Sequence, residues 1–134
     1  MNQEPVVIRE GDLEWEIWRD RESAQRNLVY YKTLVSADIT RSEALTAGML
    51  KIPPGEALNT HHHEQVEFYL ILEGSGTVEI SSRERPVEPG SAVFIPRNTS
   101  HSIENTGACD LIFVYVFPAN SFREIEYSFV SPAP

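Results

Sequence analysis

The chain has 134 residues, with 20 Asp and Glu against 11 Lys and Arg, a net charge of -9 and one cysteine. That length suits one domain able to bury its own core without staples. Nucleic-acid binding is excluded, because phosphate contacts need clustered basic side chains and only two lysines, Lys32 and Lys51, are present. Cys109 cannot form an internal disulfide, no apolar run approaches the roughly 18 residues that span a bilayer, and "MNQEPVVIRE" lacks the regions of a signal peptide. The expected location is the cytoplasm, away from any membrane.

Taken in chain order, residues 1–30 read as an N-terminal extension, acidic in "EGDLEWEIWRDRE" and carrying "LEWEIW" with Trp15 and Trp18. After about residue 28 the apolar period of a long helix is absent, and short apolar or alternating runs recur between turn residues. Strands are expected at "NLVYYKTLV", "ALTAGMLKI", "EFYLILEG", "GTVEIS", "SAVFI", "HSIEN" and "DLIFVYVF". "SADITRSEA" reads as a loop or a helical turn. Turns fall at "IPPGE", "EGSG", "EPG", "PRNTS" and "NTGA", where Gly supplies positive φ and Pro presets a bend. Many short strands with turns about every ten residues indicate an all-β sandwich or barrel over 31–129. The last residues, 130–134, read as a tail.

The stretch "NTHHHEQVEFY" carries the chemistry. Side chains alternate along a strand, so His61 and His63 share a face and His62 points away. Continuing with the same parity, Glu67, Tyr69 and Ile71 share a face, and Phe68, Leu70 and Leu72 take the other. A carboxylate opening an apolar strand is costly to bury without a cation. Two imidazoles nearby suggest that the cation is a metal. Glu64 lies in the polar connection, and Cys109 and Arg97 read as loop residues without a catalytic role.

The wider spacing is Gly55, five residues, His61, one, His63, three, Glu67, six, Gly74, followed by Gly90, five, Pro96, four, His101, three, Asn105. It resembles the two signature motifs of the cupin superfamily, small double-stranded β-helix (jelly-roll) barrels that hold a metal. Asn98 stands where that family usually has Gly, and Asn tolerates a positive φ. The resemblance implies His61, His63, Glu67 and His101 as ligands of a divalent Fe, Mn, Ni, Co or Zn ion with open positions for a small-molecule substrate. It also implies a homodimer paired through its sheets, with "LEWEIW" as a candidate contact, although both tryptophans would serve equally as core.

Tyr69 shares the face of Glu67, so its phenol belongs in the same cavity if Glu67 binds metal. Tyr127 lies on "VFPANSFREIEYSF", a segment expected to fold back across the sheet or the mouth. The inward or outward facing of Phe113 and Tyr115 against Val114 stays open. The spacing His-x-His-x₃-Glu-x-Tyr, the ending "FPANSFREIEY" and the entry "SADITRSEALTAGMLKIPPG" resemble the cupin-type dimethylsulfoniopropionate lyases from about Tyr31 to Phe129. That resemblance implies a metal-dependent lyase in which Tyr69 takes the α-proton and Tyr127 lines the pocket. The alternatives are a non-haem iron dioxygenase, a small-acid or sugar isomerase, and a cupin that binds a metabolite without turnover.

Overall fold

In the computed structural model, residues 4–18 and 27–129 are described, so the expected tail over 130–134 and part of the extension lie outside the described residues. The strands are β1 (Glu16–Ile17), β2 (Tyr30–Val35), β3 (Thr46–Ile52), β4 (Ala57–His62), β5 (Glu67–Glu73), β6 (Gly76–Ile80), β7 (Arg83–Val87), β8 (Ala92–Ile95), β9 (His101–Asn105), β10 (Leu111–Phe117) and β11 (Ser128–Phe129). They form two antiparallel sheets, one ordered β1-β2-β3-β10-β5-β8 and the other β11-β4-β9-β6-β7. This is the jelly roll implied by the motif resemblance, and an all-β sandwich of the kind expected from the spacing of strands and turns. No helix among the described residues is long and apolar enough to cross a membrane.

The period-two pattern decides what each strand buries. Along β10, Leu111, Phe113, Tyr115 and Phe117 point inward and are buried, while Ile112, Val114 and Val116 are half-buried on the outer face. That settles the register left open by the sequence. Along β5, Glu67, Tyr69 and Ile71 face the interior, and Phe68 and Leu72 face outward and are exposed. Ile52, Leu58, Ile71, Ile95, Ile103 and Phe113 complete a dry core between the sheets. "SADITRSEA" contains a single helical turn, α1 (Ala37–Thr40), ended by Arg41 at φ 53.

Four strands fall outside the runs read from sequence: β1, β4, β7 and β11. β4 carries "ALNTHH" and β7 carries "RERPV", neither of which has a strand's apolar rhythm. Proline is tolerated in β7 because that strand is the edge of its sheet, where one side needs no ladder hydrogen bond. β11 is only two residues long, paired with β4 through Ser128↔His62 and Phe129↔His61.

Two tight contacts shape the interior. Gly74 sits at φ +80, and a Cβ there would collide with the Asp110 carbonyl. Gly48, opposite Tyr115 in the ladder, leaves the space that the Tyr115 phenol fills. The N-terminal segment docks on its own sheet through both lysines. Lys32 pairs with Glu10 at 2.8 Å, and the ring of Trp15 receives Lys32 Nζ at 4.6 Å and Lys51 Nζ at 4.7 Å, distances at which cation–π attraction operates.

Candidate metal centre

Strand β4 does not run straight into the site. Leu58 pairs with Ile103 but His61 pairs with His101, so one extra residue is accommodated between Leu58 and His61. A bulge of this kind reverses the facing of everything beyond it. Leu58 and His61 therefore both point inward, although they are three apart, and His63 follows the parity of His61. All three are buried, while His62 is only half-buried. The register shift is what brings the histidine pair into the barrel.

His101 enters from β9, directly across from His61, with ring centroids 4.1 Å apart. Glu67 enters from β5 in the opposite sheet. Ligand atoms of His61, His63, Glu67 and His101 all lie within 4.8 Å of one another, and all four residues are buried. The structure thus brings together the four residues expected as ligands.

The rings are oriented by the backbone. His61 Nδ1 meets the Asn59 carbonyl at 2.7 Å, His63 Nδ1 meets that of Gln65 at 3.0 Å, and His101 Nδ1 meets that of Thr99 at 2.7 Å. A carbonyl only accepts, so each Nδ1 is the protonated donor and each Nε2 presents a lone pair inward. His63 Nε2 and His101 Nε2 lie 3.1 and 3.3 Å from Glu67 Oε1, and His61 Nε2 is buried without a hydrogen-bond partner among the described residues. With the rings neutral, three Nε2 lone pairs and the Glu67 carboxylate converge, a donor set that suits a divalent Fe, Mn, Ni, Co or Zn ion. Burial, then the neighbouring His101, hold His61 well below the usual histidine range, leaving its Nε2 free to coordinate.

Tyr69 is wholly buried two residues beyond Glu67, and its hydroxyl makes no hydrogen bond of normal geometry among the described residues. Burial and then the Glu67 carboxylate push the phenol well above its ordinary 10. Tyr127 arrives from the C-terminal segment. Its ring stacks on His61 at 4.8 Å between centroids and meets His63 at 5.2 Å, and burial followed by Glu67 raises it likewise. Cys109 and Arg97 are exposed.

Beside the four-residue cluster lies an apolar chamber of about 290 Å³. Ile17 and Trp18 form one wall, Tyr31 and Leu50 another, and Tyr115, Phe122 and Tyr127 the side toward the histidines. A second, polar cleft of about 360 Å³ runs past His62, His63 and Glu64 to Glu124 and Glu126. Trp18, Tyr31 and Phe122 were not singled out from sequence as site residues. No motif spacing links them, since they meet only when both ends of the chain fold across the barrel.

Residues 48–117 match the model of the cupin domain family. The chain is 35% identical over 105 residues, 78% of its own length and 68% of the relative's, to the dimethylsulfoniopropionate lyase DddW of Ruegeria pomeroyi. It is 37% identical over 84 residues, 62% of its length and 69% of the relative's, to the oxalate-binding protein of Thermotoga maritima. Among solved structures, a protein of Thermotoga maritima described as a predicted oxalate decarboxylase superposes with a TM-score of 0.73 at 30% identity, covering 85% of this chain and 99% of that one. The matched motif, the jelly roll and the converging histidines and glutamate agree on one conclusion: this chain belongs to the cupin family.

Proposed function

We propose that the protein is a metal-dependent lyase that removes an α-proton from a small carboxylate, with β-elimination from dimethylsulfoniopropionate as the specific reaction. The observation that carries this reading is the Tyr69 phenol, wholly buried beside the Glu67 carboxylate. Support comes from the 35% identity to DddW.

His61, His63, Glu67 and His101 would hold the ion, and a bound divalent cation supplies Lewis-acid stabilisation of charge developing on a substrate carboxylate. The chain's own residues do the rest. Tyr69 accepts the α-proton at Oη in its ionised form, which a bound divalent cation would favour against the burial that raises the phenol. The electron pair of the broken Cα–H bond forms the double bond, the Cβ–S bond breaks onto sulfur, and acrylate and dimethyl sulfide leave. Tyr127, stacked on His61, closes the pocket from the C-terminal side and excludes water. Tyr69→Phe is expected to keep full metal content by elemental analysis while losing at least about 100-fold in dimethyl sulfide release, the scale of a missing general base. A variant that retains activity within about threefold removes Tyr69 from the reaction.

A second reading is favoured by the 37% identity to an oxalate-binding protein, namely capture of a small dicarboxylate without turnover. Tight oxalate binding beside no product from dimethylsulfoniopropionate selects it. Two copies pair through the outer face of the first sheet, where exposed Phe94 sits directly opposite exposed Phe68 and Leu72 extends the patch. The free cysteine, Cys109, is compatible with the reducing cytoplasm, where we place the protein.

A further inference from the structure

The chamber beside the histidines is unusual in what lines it. Five of its seven walls are aromatic and none is charged among the described residues. A purely aliphatic tail needs no such concentration of rings, and a second carboxylate would find no basic partner there. Ring faces carry the negative end of an aromatic quadrupole, and they hold a soft, poorly hydrated cation within about 6 Å. Glu16, in ladder register with Tyr31, adds a carboxylate near that wall.

Trp18, like Ile17, Tyr31, Phe122 and Tyr127, lies outside the family-matched region, 48–117. Its backbone N–H donates to the Val29 carbonyl at 2.9 Å, which fixes the segment to the barrel. Its ring stands edge-on to Tyr127 at 5.0 Å, to Phe129 at 6.1 Å and to Phe122 at 6.3 Å. Tyr127 in turn stacks on His61. A ligand anchored by a carboxylate among the histidines and reaching past Tyr127 therefore meets Trp18 at its far end.

We propose that Trp18 is a specificity-determining residue that selects substrates whose carboxylate is linked by a short chain to a methylated sulfonium or ammonium cation, the cation resting in the cage that Trp18 completes with Tyr31, Tyr115, Phe122 and Tyr127. This deepens the lyase reading and rests on it for the carboxylate end. Selection is by charge and not by shape, so a carbon isostere of the cation fills the same space and binds less well.

The test compares two ligands that cannot eliminate dimethyl sulfide. One is the propanoate bearing a trimethylammonio group at its β-carbon, and the other is the same acid with a tert-butyl group in that place. Calorimetric titration of Zn-loaded protein is expected to show the ammonium ligand binding about tenfold more tightly, within the range of a desolvated cation–π contact. Trp18→Phe keeps most of that ratio, whereas Trp18→Leu brings it to about one while binding of the tert-butyl acid changes little. The only other tryptophan, Trp15, lies on Lys32 and Lys51, so its emission shows that the Leu variant is folded. Equal binding of the two ligands to the unmodified protein, or an unchanged ratio in a folded Trp18→Leu, overturns the proposal. The outcome is independent of turnover: lost selectivity with dimethyl sulfide still released sinks the cage alone, and retained selectivity without release sinks the lyase reading alone.

Discussion

His61 shows most directly how burial has prepared this site. In the folded chain it is held neutral, whereas a free imidazole titrates near 6.5. Below about that pH the unfolded chain therefore binds more protons than the folded one, and stability falls. Metal-free protein is expected to keep this contribution above about pH 6.5 and to lose up to about 1.4 kcal/mol per pH unit from this residue as pH drops toward the lower folded value. Urea unfolding at about pH 8 and about pH 5.5 measures it, and His61→Phe flattens the dependence. At this scale much was legible in the sequence. Strand parity placed His61, His63, Glu67 and Tyr69 on one face, and the structure brings all four to the interior. The carbonyls of Asn59, Gln65 and Thr99 that fix the imidazole tautomers were not legible, because backbone direction at a bend leaves no mark in residue type.

Among the elements, β4 and the turn before β9 decide whether the ligands meet. The register shift between Leu58 and His61 turns the histidines inward, and nothing in "ALNTHH" announces it, since a bulge depends on the partner strand. The turn was legible. Asn98 occupies φ 54, the left-handed region anticipated for it, and its N–H donates to the His63 carbonyl at 2.8 Å. Asn98→Gly is expected to be close to neutral, whereas Asn98→Val, β-branched at positive φ, costs roughly 1–3 kcal/mol and lowers metal affinity by displacing His63. Thermal melts with and without metal check both variants. Gly48→Ala drives a Cβ into the Tyr115 phenol and the Lys32 carbonyl, with an expected loss of about 1–3 kcal/mol. Strands β1, β7 and β11 escaped the sequence reading for a different reason, being edge elements that bury too little to pattern them.

At the scale of the whole molecule, both ends of the chain converge on one mouth of the barrel. The N-terminal segment lays Trp15 on the outer sheet and brings Trp18 to the chamber, while the C-terminal segment lays Tyr127 over the histidines. The barrel was readable from local rhythm, and the return of the Tyr127 segment was expected, but its meeting with Trp18 was not, because the two are 109 residues apart in sequence and no spacing rule joins them. The outer face of the first sheet leaves Phe68, Leu72 and Phe94 in solvent, a patch that a second copy would cover in the proposed dimer. Light scattering is expected to show a dimer, and Phe94→Glu a monomer with its metal content intact. A monomeric unmodified protein at micromolar concentration removes that assembly.

The proposed elimination depends on a metal held by His61, His63, Glu67 and His101, and headspace dimethyl sulfide from dimethylsulfoniopropionate measures it. Release by protein loaded with one of Mn, Fe, Ni, Co or Zn, abolished by a chelator and restored by returning that ion, is the predicted result. No dimethyl sulfide with any of these ions contradicts it.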